Sequence, residues 1–367
     1  MPALRYEGLD IFRGMTICFM IIVNTAGDYA HTFAPLLHAH WNGFTPTDLV
    51  FPSFLFAVGN ALSFVALRWA TQTKGEVLVK IFKRTLVIFL LGYLMYWFPF
   101  VEPASGGWQM KPFSDTRVLG VLQRIALCYG ITALMVYLLN ERIMVIVTLL
   151  ALVVYRYLLS AYGDLTLEGN AVLKFDRWLM GDSHLYHGEG IAFDPEGWLS
   201  TLPAIGNVVI GYMAGKYIQQ KGKTYEGLTH LLLAGTILVV LGYFWDSSFP
   251  INKKLWTSSF VLYTCGIDLV ILSAIIYLTE FRGIRKGSSF FLVFGKNPLF
   301  IYLLSEVGVI LLWTFHIGDQ AGYEWIYDHF FRPIGNYWGS LFFAIWWMLT
   351  CWAAGWWMDR KKIYIRV

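Results

Sequence analysis

Long apolar runs separated by short polar clusters set the pattern of the chain. A helix needs roughly 20 mostly apolar residues to cross the bilayer core. Ten runs come close: about 11–27, 48–67, 82–99, 118–138, 143–161, 198–217, 227–244, 257–279, 293–314 and 336–357. Lys296, Asn297, Pro298 and Glu306 interrupt the ninth, which predicts a helix break there. No internal repeat, low-complexity tract or long linker divides the sequence. The pattern predicts an all-α polytopic membrane protein, a single bundle of about ten transmembrane helices with residues 1–367 as one domain. Glu7, Asp10 and Arg13 flank or interrupt the start of the first run, so it is expected to remain as a span and not to be a cleaved signal peptide.

Composition reinforces this. Hydrophobic residues make up 57% and charged residues 14%, against roughly 25% charged in a soluble domain. The 16 tryptophans suit belts at the two membrane interfaces. The net charge of +4 is modest, and no nucleic-acid partner is expected. Cys18, Cys128, Cys265 and Cys351 all fall in apolar runs without CxxC spacing, as buried thiols do.

An even number of spans puts both termini on one side, and basic residues choose the side. With the termini inside, the inner segments hold Arg5, Arg68, Lys74, Lys80, Lys83, Arg84, Arg142, Lys216, Lys221, Lys223, Arg282, Arg285, Lys286, Arg360, Lys361, Lys362 and Arg366. The outer loops hold only Lys111, Lys174, Arg177, Lys253, Lys254 and Arg332. Both termini are therefore expected in the cytoplasm. Every histidine except His230 then falls outside, as do the long polar connections near 100–116, 162–197 and 315–335.

The densest polar cluster is the outer segment His38-Ala-His-Trp-Asn-Gly-Phe-Thr-Pro-Thr-Asp48, just before the second run. Gly43 and Pro46 make a turn between His38 and Asp48, and a carboxylate beside an imidazole orients it for proton transfer. By residue type alone three readings stay open: catalysis, a structural loop network with Asp48 capping the next helix, or a metal site, for which His38-x-His40 and one acid form no tetrahedral set by spacing. Asn24, late in the first run, either glues helices together or donates to a developing oxyanion. Arg13, Arg124, Lys296, Asp268 and Glu306 are intramembrane charges, each a functional candidate, although Asp10 and Arg13 also fit a plain ion pair at a helix end. The acid- and aromatic-rich segment 175–198 suits either sugar stacking or an ordered cap anchored at the interface.

Taken in order, Leu9-Asp10-x-Phe-Arg13-Gly, Val23-Asn24, His38-Ala-x-Trp-Asn-Gly-x-Thr-x-x-Asp48-Leu-Val-Phe-Pro, Gly120-Val-Leu-Gln-Arg124, Phe193-Asp-Pro-Glu-Gly197, Asn252-Lys-x-Leu-Trp256 and Arg360-Lys-Lys-Ile resemble the heparan-alpha-glucosaminide N-acetyltransferase family across almost the whole chain. Its bacterial members include the NagX-like membrane acetyltransferases. The resemblance implies transfer of an acetyl group from cytoplasmic acetyl-CoA to the amine of a glucosamine-type sugar on the far side of a bacterial inner membrane, with no metal. It makes His38 the catalytic histidine, Asn24 its partner and Asp48 the nearby carboxylate. Arg13, Gln123, Arg124, Lys296, Asn297, Lys361 and Lys362 become expected cofactor-binding residues. His40, Trp41, Asn42, Trp178, His184, Asp194 and Glu196 become expected acceptor-binding residues, and a homodimer is expected in the lipid bilayer. The sequence departs from the family in four places. The family's lysosomal enzyme carries an extra luminal N-terminal region and one more span, the segment between Asn24 and His38 is a little longer here, His40 replaces a small polar residue, and Ser305-Glu306 stands where the family has His-Glu. These departures bear on the acceptor, so O-acetylation of a glycan hydroxyl stays open beside N-acetylation. Solute transport is the alternative from another class, against which stands the lack of matched broken segments in two halves.

Overall fold

The computed structural model describes residues 6–104 and 107–365; Arg5 and Arg366, counted above on the inner side, lie outside them. Each apolar run falls on a helix: α1 Glu7–Asn24, α2 Pro46–Ala66, α3 Lys74–Trp97, α4 Val121–Leu138, α5 Glu141–Tyr162, then, after the short α6 Ala171–Met180, α7 Trp198–Lys221, α8 Tyr225–Asp246 and α9 Ser258–Ile276. The ninth run is split into α10 Ser288–Lys296 and α11 Pro298–Thr314, and α12 Gly322–Ile326 leads to α13 Asn336–Arg360. Two small hairpins, β1 Val101–Ala104 with β2 Gly107–Met110 and β3 His316–Ile317 with β4 Gln320–Ala321, decorate the loops.

By length and composition six of these helices can cross a membrane: α2, α4, α5, α8, α9 and α13. The pair α10–α11, bent by 84°, passes the same test when taken together and makes a seventh if it is one broken span and not a re-entrant loop. This is fewer than the ten expected. Two of the remaining helices carry charge: Glu7, Asp10 and Arg13 on α1, and Lys80, Lys83 and Arg84 on α3. The third, α7, holds Pro203, Asn207 and several glycines, and it is buried along nearly its whole length. A helix wrapped by others does not need a uniformly apolar surface. In contrast, α3 exposes Phe82, Leu86, Leu90 and Leu94 at four-residue spacing, one stripe of an apolar helix facing outward.

Small residues let the central helices touch backbone to backbone. A Cβ at Gly59 of α2 would collide with the Val208 carbonyl of α7, and one at Gly211 of α7 with the Phe56 carbonyl of α2. The α1–α10 crossing is built the same way, from Gly14 against Phe291 and Gly295 against Asp10. Such contacts are how helices associate where lipid removes the hydrophobic drive between them.

The connections divide between two ends. At one, Gly43 N–H bonds Ile251 (2.8 Å), Trp41 bonds the Leu165 carbonyl (2.7 Å) and Val118 N–H bonds His184 (3.2 Å), tying together the loops after α1, α3, α5 and α8. At the other, Tyr6 bonds the Ile218 carbonyl (3.1 Å), Lys223 pairs with Glu280, and Lys296 pairs with Asp359 at 2.7 Å. The loops expected outside thus share one end of the bundle.

Candidate active site

The polar cluster before α2 owes its shape to a helix cap. Pro46 opens α2 with its fixed φ, and Asp48, in the first turn, accepts from the Thr45 N–H (3.0 Å) and hydroxyl (3.1 Å) through Oδ2. The same Oδ2 accepts from Ala39 N–H at 3.1 Å. These bonds leave Oδ1 for His38 Nδ1, 2.7 Å away. Capping and imidazole orientation, alternatives by sequence, are performed by one carboxylate. Asp48 is 1% exposed and His38 42%, so a buried anion holds a partly open ring.

With Nδ1–H directed at Asp48, the lone pair of His38 is on Nε2. Lys253 Nζ stands 3.0 Å from Nε2 and 3.1 Å from Nδ1. Packing drives the His38 pKa below the usual imidazole value, the Asp48 bond works against it, and Lys253 lowers it further. The ring is therefore neutral at neutral pH, the form that accepts a proton or attacks a carbonyl.

Three expected acceptor residues, His40, Trp41 and Asn42, line a cavity of about 330 Å³ beside this pair, with Leu165, Thr166, Leu167, Glu189 and Lys254. Asn42 accepts from Asn252 (3.1 Å), and Lys254 pairs with Glu189 (2.5 Å). The others lie elsewhere. Trp178 on α6 is 77% exposed. His184 ties a loop to the Thr116 carbonyl (2.8 Å). Asp194 is buried in a two-bond grip by Arg117 (2.7 and 2.8 Å), which also bonds Glu196 at 2.6 Å. Burial alone would raise the Glu196 carboxyl, but Arg117, Arg124 and Lys253 hold it below its ordinary value. Asn24 lies near Glu306 of α11.

A larger cavity, about 570 Å³, opens toward the other end between α1, α2, α3, α4 and α11. Arg13 and Lys296, two of the expected cofactor-binding residues, line it together with Arg84, which the sequence marks only as an inner-face charge. Its walls turn apolar at Phe54, Ala57, Val58, Leu122 and Ile125 and reach Tyr302, which is within electrostatic range of Glu196 and Glu306. Asn297 does not line it; its amide bonds the Ile363 carbonyl and the Ile365 N–H, both at 2.9 Å. Lys361 and Lys362 are exposed after α13. Gln123 and Arg124 are fully buried away from it. Arg124 donates to the Gly197 carbonyl (3.0 Å) and Ser200 and stacks 4.9 Å from the Trp256 ring, so it braces α4 against α7. Among the described residues no three His, Cys, Asp or Glu side chains converge as metal ligands.

Fold and site together define a multi-pass membrane protein with an oriented, neutral histidine at one end of a helix bundle and a cation-lined cavity opening toward the other. The catalytic-region profile of the heparan-alpha-glucosaminide N-acetyltransferase family matches residues 5–244, and the chain belongs to that family. Human and mouse proteins named heparan-alpha-glucosaminide N-acetyltransferase are each 29% identical to it over 363 residues, covering 83% of this chain and 53% of theirs. The chain spans about half the length of these curated relatives.

Proposed function

We propose that the protein is an acetyl-CoA-dependent N-acetyltransferase that carries an acetyl group across a bacterial cytoplasmic membrane to the amine of a glucosamine-type sugar. The observation that carries this reading is His38, held by Asp48 with Nε2 as the available base. The finer topology belongs to the same proposal: one domain of ten crossings with both termini in the cytoplasm and His38 outside. Its support is the tying together, at one end, of the loops after α1, α3, α5 and α8, all expected outside.

In this reading the phosphates of CoA rest near Arg13, Arg84 and Lys296, where cations meet a cavity wide enough for the cofactor's arm. Asp10 and Asp359, which pair with Arg13 and Lys296, must then share those cations with phosphate. The pantetheine arm follows the apolar wall toward Tyr302. It covers about half of a ~30 Å core to bring the thioester to the other end. There His38 Nε2 takes a proton from the acceptor ammonium, the neutral amine attacks the thioester carbonyl, and Asn24 donates to the oxyanion. The C–S bond then breaks, and of the two protons that leave the nitrogen through His38 one goes to solvent and the other to the CoA thiolate. His38 attacking first, through an acetyl-imidazole, serves the same geometry, and hydroxylamine trapping separates the two routes.

The test is acetyl transfer by the purified protein over a panel of amino sugars and their hydroxyl analogues. The expected result is CoA release and an N-acetyl product, lost in His38→Ala. Full transfer by His38→Ala, or product only from the hydroxyl analogues, would sink the assignment.

A further inference from the structure

Lys253 stands out among the groups that the mechanism above does not use. Its backbone is fixed by the turn that precedes α9: Trp256 N–H bonds the Lys253 carbonyl (3.0 Å), Leu255 N–H bonds Asn252 Oδ1 (2.8 Å) and Asn252 N–H bonds Thr257 Oγ1 (3.1 Å). The turn is braced to the His38 loop through Asn252–Asn42 and Ile251–Gly43. The side chain does not reach for open water; it ends against the His38 ring, 3.0 Å from Nε2. Asp48, Glu196 and Glu189 surround its charge favourably, and Lys254 opposes it.

A primary ammonium at hydrogen-bond distance from the lone pair of a catalytic base is the geometry that an acceptor amine must adopt. We infer that Lys253 Nζ occupies the position of the acceptor amine, and that the protein acetylates Lys253 itself when acetyl-CoA is present without acceptor. The inference rests on the transferase reading and adds to it a modification site and a reason for choosing amines. The pocket already balances one primary ammonium, so an incoming ammonium replaces a like charge, whereas a hydroxyl leaves the carboxylates one cation short.

The step balances without any further reagent. Lys253 ammonium gives one proton to His38 Nε2, which passes it to solvent, and neutral Nζ attacks the thioester carbonyl. As the C–N bond forms and the C–S bond breaks, Nζ gives up a second proton through His38 to the CoA thiolate, leaving N-acetyl-lysine, CoA thiol and one proton in solution. Burial lowers the Lys253 pKa, which enlarges the neutral fraction available for attack. The product has lost its charge and stays beside Nε2, so self-acetylated protein turns over more slowly.

The experiment is incubation of the purified full chain with isotopically labelled acetyl-CoA and no acceptor, followed by peptide mapping, with glucosamine N-acetylation assayed on the same preparation. One acetyl group on Lys253 is expected. It should be stable to hydroxylamine, suppressed by saturating glucosamine, and formed about 10²-fold more slowly in His38→Ala. Lys253→Arg should lose the label while acetyl-CoA still raises its melting temperature. Label spread over other lysines and equal in His38→Ala, or confined to His38 and released by hydroxylamine, overturns the inference. If glucosamine is acetylated and Lys253 is not, the inference falls alone; if neither is, the transferase reading falls with it.

Discussion

His38 sits between opposite influences, the Asp48 carboxylate at Nδ1 and the Lys253 ammonium at both ring nitrogens. Asp48→Asn removes the anion that fixes the tautomer and holds Ala39 and Thr45. It should lower kcat by about 10²–10⁴-fold, the range of a general-base contribution, in steady-state assays. Lys253→Met removes a cation that disfavours the imidazolium. The His38 pKa should rise, and the acid limb of the pH profile of kcat/KM should move to higher pH; an unmoved or lowered limb contradicts the placement. His38 and Asp48 were legible in the sequence because ten residues and a Gly–Pro turn bring them together. Lys253 was not: 215 positions separate it from His38, and only the turn before α9 closes that distance. Sequence equally had no means of telling that Arg124, an intramembrane charge, turns to the Gly197 carbonyl, Ser200 and the Trp256 ring.

At the scale of elements, close crossings and capped termini carry the structure. Gly59→Leu or Gly14→Leu places a side chain where a carbonyl of the neighbouring helix already stands. Each should cost at least 1–3 kcal/mol, roughly the penalty of overpacking, and appear as a lower melting temperature or loss of the monodisperse peak in detergent. On α6, Asp176 Oδ1 accepts from Trp198 N–H at the start of α7 (3.0 Å), while burial, aided by the Asp194 charge, pushes its carboxyl up to about 7. A carboxyl raised on folding favours the folded state most at low pH, and that advantage is lost as pH rises from the unfolded value through about 7. Asp176→Asn keeps an acceptor for Trp198 but carries no charge. It should raise the melting temperature at pH 8 more than at pH 5, with an upper bound of about 4 kcal/mol from the size of the shift. Apolar periodicity revealed the helices themselves, and Lys296-Asn297-Pro298 revealed the break. The number that qualify as crossings was harder to read, because helices buried among others, such as α7, are free to carry polar residues.

At the scale of the molecule, the His38 end and the cation-lined cavity are features of one bundle. Arg84 lines the cavity with its guanidinium stacked 4.6 Å from the Tyr129 ring and its Nε without a hydrogen-bond partner among the described residues. Arg84→Ala should weaken acetyl-CoA binding by roughly 10- to 100-fold, the worth of a charge-assisted hydrogen bond, by calorimetry, and leave the acceptor's own affinity unchanged. The break between α10 and α11 adds a last consequence. Asn297 there clasps Ile363 and Ile365, while Tyr364 and Ile365 line the cavity and Tyr364 bonds Asp359 (2.7 Å), the partner of Lys296. On the proposed reading, CoA in the cavity packs against this segment and orders it, which makes the Ile365 amide a gauge of loading. Its exchange with deuterated solvent should slow when CoA is bound and return to the empty rate on washout, giving a signal of cofactor entry that requires no turnover.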